Sequence, residues 1–182
     1  MIVYTVGHST RSMGELAHLL ASYWVETLVD IRSVPRSRKN PQFNVDVLPA
    51  ELANVGMRYV HLAPLGGLRR KSKGAPSHNT GWQVESFRNY ADYAQTEPFA
   101  QGLDALVALA AQSACALMCA EAVWWRCHRR IVADYLLVRG ITVRHILSAG
   151  RAEDATMTPF ATRAPDGTLT YPSGDPYGAL ME

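Results

Sequence analysis

From Cys119 to Arg130 the chain reads Cys-Ala-Glu-Ala-Val-Trp-Trp-Arg-Cys-His-Arg-Arg. Thiols, a carboxylate, an imidazole and guanidiniums are crowded into one short stretch. The apolar run before it, residues 114–118, predicts a buried strand. The spacing of Trp124, Cys127, His128, Ile131, Tyr135 and Val138 predicts a helix over 124–138. The reactive groups therefore stand where a strand hands over to a helix, which is where open α/β sheets bind ligands. The positive end of a helix also favours anions and ionised thiols. The chemistry this allows has Cys119 as a nucleophile and Glu121 as a proton carrier. Cys127, His128 and Arg129 approach from the first helical turn. The plainer alternatives are that Cys119 fills space at a strand end and that Cys127 packs in the core. Arg126, Arg130 and Asp134, spaced by four, are expected on the outward side as a solvated ladder.

Other strand ends must bring partners to this place. Residues 2–6 form a continuous apolar run that ends at His8 and Ser9. A second run, 27–31, ends at Asp30 and Arg32, and a third segment, 57–62, ends near His61. In a parallel sheet all these ends share one edge, so residues distant in sequence converge there. The candidate catalytic groups are Glu121, Cys119, His61 and His8. The candidate binding groups are Ser9, Asp30, Arg32, Arg36, Cys127, His128 and Arg129. Each has a structural alternative: His8 closing its turn, Asp30 capping its loop or pairing with Arg32, His61 sitting satisfied in the interior.

The elements between the strands complete the pattern. Ser12 with Glu15 predicts a capping box, followed by a leucine stripe at 16, 19 and 20. Residues 46–55 predict a short helix closed by Gly56. Residues 85–94 and 99–112 predict two helices, Gly140 closes another, and 142–147 predict a fifth strand. This alternation predicts an α/β domain over 1–149, with about five mostly parallel strands and helices on both faces. Residues 150–182 lose the periodicity and read as an irregular C-terminal extension, with a small hairpin expected over 162–171.

The totals narrow the function classes. The chain has 182 residues, 48% hydrophobic and 19% charged, with net charge +2. That suits one folded domain with no general bias towards nucleic acid or membranes. Local clusters stand out against this background: Arg32, Arg36, Arg38 and Lys39; Arg69, Arg70, Lys71 and Lys73; Arg126, Arg129 and Arg130. They point to an anionic small molecule, or to nucleic acid held by the basic loops. Three cysteines argue for reduced thiols in a cytoplasmic setting rather than a disulfide framework. Neither a signal peptide nor a membrane-spanning stretch is expected. No compact metal signature occurs, so no metal or cofactor is assigned; a metal site would draw on Cys119, Cys127, His128, His61 and His8.

Several pieces in order resemble the domain of unknown function 488 family. They are Thr5-Val-Gly-His-Ser9, Leu28-Val-Asp-Ile-Arg32 with Pro35 and Ser37, Phe43, Tyr59-Val-His61, Leu65-Gly-Gly67, Phe87 to Ala91, Cys119-Ala-Glu121 and Cys127-His-Arg129. Together they span roughly residues 3–146. The resemblance implies an α/β domain with a strand-edge cleft and brings no assigned reaction. A looser similarity links the Asp-x-Arg strand, and the cysteine after a central strand, to rhodaneses and cysteine phosphatases. Those loops place an arginine six positions after the cysteine, whereas here Arg126 is seven after Cys119 and the loop lacks their glycines.

Overall fold

Runs of apolar residues without polar interruption make strands that must be covered on both faces. The computed structural model describes residues 1–71 and 76–174. In chain order the elements are β1 (Ile2–Gly7), α1 (Met13–Ala21), β2 (Thr27–Asp30), α2 (Leu48–Asn54), β3 (Arg58–His61), α3 (Glu85–Tyr93), α4 (Glu97–Ala110), β4 (Cys115–Cys119), α5 (Arg129–Val138), β5 (Thr142–Ser148), β6 (Arg151–Asp154), β7 (Thr162–Arg163) and β8 (Leu169–Thr170). The main sheet runs β3-β2-β4-β1-β5-β6. Its first five members are parallel to their neighbours, and β6 pairs antiparallel with β5. This is the expected mixed α/β domain with one strand more than periodicity indicated. No helix among the described residues is long and apolar enough to cross a membrane.

Alternate side chains of each strand serve opposite layers. Val6, Leu28, Ala116 and Met118 meet Leu16, Leu19 and Leu20 of α1 and Leu48 and Leu52 of α2. Val3, Val29 and Leu117 meet Tyr90 of α3, Phe99 and Leu103 of α4, and Ile131, Val132 and Leu136 of α5. The capping box of α1 forms as its spacing requires: Glu15 N–H donates to Ser12 Oγ (3.1 Å), and Ser12 N–H donates to the Glu15 carboxylate (2.6 Å). Such a cap stabilises by about 1 kcal/mol.

This layering opens a crevice. β1 and β4 are neighbours, yet the chain leaves β1 towards α1 on one face and leaves β4 towards α5 on the other. Diverging connections at adjacent strand ends create the site where α/β sheets take ligands. The two exits are tied at their base, where His8 N–H donates to Cys119 O (2.9 Å) and Ser9 N–H to Ala120 O (3.1 Å). Gly7 permits this closeness, because a Cβ there would collide with the Glu121 carbonyl.

Two expectations are corrected. The helix expected over 124–138 is broken: Trp124–Arg126 form a 3-10 turn, Cys127 is extended (φ −128°, ψ 146°), and α5 starts at Arg129. Contacts of the Cys127 sulfur outweigh the weak helix preference of Trp, Cys and His. The Arg130–Asp134 part of the ladder is covered rather than solvated. Asp134 is buried and accepts from Thr158 N–H (2.9 Å) and the Tyr171 hydroxyl (3.0 Å), and Arg130 Nε donates to Thr158 Oγ1 (3.0 Å). The segment after residue 150 supplies this cover. It also supplies β6, the expected hairpin of β7 and β8, and the core residues Leu169 and Tyr171. Lys73, part of the second basic cluster, and residues 175–182 lie outside the described residues.

Candidate functional site

The end of β4 and the start of α5 bring two sulfurs to one imidazole. His128 Nδ1 lies 3.9 Å from Cys119 Sγ and 3.6 Å from Cys127 Sγ. The opposite nitrogen, Nε2, lies 3.0 Å from Ile31 O. A carbonyl only accepts, so Nε2 carries a proton and Nδ1 faces the sulfurs. The edge of Tyr90 holds the ring from one side, with centroids 4.9 Å apart. Gly67 approaches from another; a Cβ at that position would strike the imidazole. Arg69 fixes the Gly67 loop, lying 3.6 Å over the Tyr93 ring and donating to the carbonyls of Gly66, Ala63 and Pro64.

Arg129 completes the cluster from below. It is buried, donates from Nε to Cys127 Sγ (3.2 Å) and from a terminal nitrogen to Glu121 O (2.6 Å). The two thiols consequently differ. Its bond to Cys127 and its burial push the Cys119 thiol well above the ordinary range. Burial also opposes ionisation of Cys127, but the bond from Cys119 and the charges of His128 and Arg129 outweigh it and hold Cys127 well below that range.

A second network surrounds Arg32. Asp30, fully buried, takes the Arg32 guanidinium at 2.5–3.1 Å and the Tyr59 hydroxyl at 2.8 Å. Arg32 also donates to Phe43 O (2.7 Å) and reaches His8 Nε2 (3.3 Å). His8 donates from Nδ1 to Ser9 O (2.8 Å), so its Nε2 is the acceptor for Arg32. Burial, with the Arg32 charge, holds His8 neutral, its pKa lowered to about 4 despite the bond to Ser9. His61 donates from Nε2 to Arg32 O (2.8 Å).

Both networks border one cavity of about 620 Å³. His8, Ser9, Arg32, Arg36, Cys119, Glu121, Cys127 and His128 line it; Asp30, His61 and Arg129 stand behind the wall. The reason is local: the polar atoms of Asp30 and Arg129 are consumed by the bonds above, and His61 is turned to the Arg32 backbone. Glu121 is exposed at the rim. Arg36, also at the rim, makes a long, exposed pair with Asp46 (3.4 Å). Sequence reasoning missed Thr10, Ser33, Gly67, Ser86 and Phe87 in the lining. Of these, Gly67 and Phe87 had a signal, in the Leu65-Gly-Gly67 and Phe87 to Ala91 pieces. It also passed over His145, which is buried, bonded to Thr5 Oγ1 (2.7 Å) and stacked on Trp124.

A family model described as Domain of unknown function DUF488 matches residues 12–136. The chain belongs to this family. The DUF488 match contains the sulfur–imidazole cluster, Arg129, Asp30, Arg32, His61 and Gly67, whereas His8 and Ser9 precede it and the covering C-terminal segment follows it. Searches of curated proteins and of solved structures gave no significant match.

Proposed function

We propose that this protein is an enzyme acting on an anionic, phosphate-bearing substrate held in the cavity at the carboxyl ends of β1 and β4. One observation carries the reading: the Cys119–Cys127–His128 cluster opens into the same cavity as Arg36 and Arg126 and the hydroxyls of Ser9, Thr10, Ser33 and Ser37. Among the described residues Arg126 has no ion-pair partner, and its exposed guanidinium is free to meet an anion. Guanidinium forks suit phosphate oxygens.

The roles follow from which atoms are free. Arg36, Arg126 and the hydroxyls bind the anion. The sulfur–imidazole cluster is the reactive group, and Glu121 at the rim carries a proton. Cys127, His128 and Ser9 face the bound molecule, and Arg129 holds the Cys127 sulfur from behind. His8, His61 and Asp30 act through Arg32, because their nitrogens and oxygens are occupied. Arg32 and Arg69 are spent on internal bonds, which removes both from any basic surface for nucleic acid. Three unpaired thiols support a reducing, cytoplasmic setting.

The test is calorimetric titration of the purified chain with inorganic phosphate and pyrophosphate, followed by turnover assays on phosphomonoesters and phosphodiesters. Saturable binding, weakened about ten-fold by Arg126→Ala without a change in unfolding midpoint, is expected. Neither binding nor turnover with any of these compounds would sink the reading.

A further inference from the structure

We propose that Cys119, Cys127 and His128 form a three-ligand site for a divalent, sulfur-preferring metal ion of the zinc class, with its fourth position open to the cavity. The proposal deepens the reading above. It rests on that reading only for what happens at the fourth position; the site itself stands on geometry.

The two sulfurs and the Nδ1 of His128 lie within 4.8 Å of one another. The sulfur–nitrogen distances, 3.9 and 3.6 Å, are close to the edges of a tetrahedron around zinc, roughly 3.5–3.8 Å for ordinary Zn–S and Zn–N bonds. Little movement separates this arrangement from a bound one. Thiolates and a single imidazole are also the donor types that zinc selects over magnesium or calcium.

The surroundings match what such ligands need. A metal-binding histidine donates its other ring N–H to a carbonyl or carboxylate, which fixes the tautomer and the ring. His128 Nε2 does this with Ile31 O at 3.0 Å, so Nδ1 is the nitrogen left for the ion. Arg129 donates to Cys127 Sγ from a buried position and meets no carboxylate among the described residues. A buried guanidinium without a carboxylate calls for negative charge on the sulfur. Gly67 packs against the face of the imidazole, where a Cβ would collide with the ring, and so helps to fix its orientation.

The count of ligands indicates a working rather than a structural ion. Closed structural sites use four protein ligands, whereas reactive sites use three and leave one position for water or substrate. Here the fourth direction is the cavity that also carries Arg36 and Arg126. Binding forms two metal–sulfur bonds and one metal–nitrogen bond, and whatever thiol protons remain pass to the buffer. No electron is transferred. A water at the fourth position would be acidified by the ion, and a phosphoryl oxygen there would be polarised.

The test uses the full chain, stripped with a chelator under reducing conditions, and titrated with Zn²⁺ alone against a chromophoric competitor. One ion per chain is expected. With Co²⁺ in its place, the unaltered protein is expected to give the visible bands of a tetrahedral ion and the near-ultraviolet bands of cobalt–thiolate bonding. Cys119→Ser, Cys127→Ser and His128→Ala should each lose more than the roughly 100-fold in affinity that outer-shell changes cost. The cobalt spectrum does not depend on those variants folding. Arg126→Ala should keep zinc affinity while weakening phosphate binding about ten-fold, which separates the two readings. Absence of stoichiometric zinc uptake by the reduced chain, or cobalt spectra without thiolate bands, would overturn the metal site and leave the anion cleft to its own test.

Discussion

Arg129 Nε sits 3.2 Å from the sulfur of Cys127, and that guanidinium meets no carboxylate among the described residues. The pairing adds to the bond from Cys119 and to His128 in holding the Cys127 thiol below the ordinary range. It also ties α5 to the loop after β4, because the same side chain donates to Glu121 O.

Arg129→Met keeps the bulk of the stem and removes both bonds. The expected loss is about 2 kcal/mol, in line with hydrogen bonds to a charged group. Urea unfolding measures it. Alkylation of Cys127 by iodoacetamide should move its pH midpoint upwards in the same variant, because the cationic neighbour that offsets burial is gone. An unchanged midpoint would assign the low value to His128 and Cys119 alone.

Asp30→Asn leaves the Arg32 guanidinium buried without its counter-charge. Breaking a buried pair from one side costs about 3–5 kcal/mol. The double variant Asp30→Asn/Arg32→Met should lose less than the sum of the two single changes, which a double-mutant cycle in urea will show. Additive losses would mean that the pair is not coupled.

Two buried histidines set a pH dependence. Burial lowers His8 and His145 to about 4 from an ordinary 6.5. The unfolded chain therefore binds more protons between those values, and stability rises with pH across that window. Each histidine contributes at most about 3 kcal/mol, fully present above pH 6.5 and lost as the pH falls through 4. His145→Gln should flatten the stability profile between pH 4 and 6.5. A profile as steep as that of the unaltered protein would contradict this assignment.

Gly67→Ala puts a methyl group against the imidazole of His128. Overpacking of this kind costs about 1–3 kcal/mol, and relief requires the ring or the loop to shift. The variant should stay folded by circular dichroism while Cys119 and Cys127 change their reactivity with thiol reagents. A variant with unaltered thiol reactivity would show that Gly67 does not position His128.

Much of the sheet was legible because β1, β2 and β4 are buried on both sides and so carry uninterrupted apolar residues. β6 was not, because Arg151–Asp154 is a charged edge strand held by backbone bonds, with no apolar face to reveal it. The convergence of His8, Arg32, Cys119 and His128 followed from strand ends meeting on one edge. The division of labour among them did not. Which nitrogen of His8 or His61 is free depends on the carbonyls of Ser9 and Arg32, and those neighbours are set by tertiary packing. Asp134 looked solvated for a similar reason: Thr158 and Tyr171, distant in sequence, take the place of water.

The pairing of β1 has a consequence for how the protein is made. Val3 lies opposite Cys115 and Ile2 opposite Thr142, so β1 meets its neighbours only after the chain has been synthesised as far as β4 and β5. Throughout that interval an apolar segment waits unpaired, exposed to wrong partners and dependent on whatever shields nascent chains. Contacts so distant in sequence also slow folding. Chains stalled at successive lengths should leave residues 2–7 open to protease until β4 has emerged, and earlier protection would mean that a non-native partner holds them first.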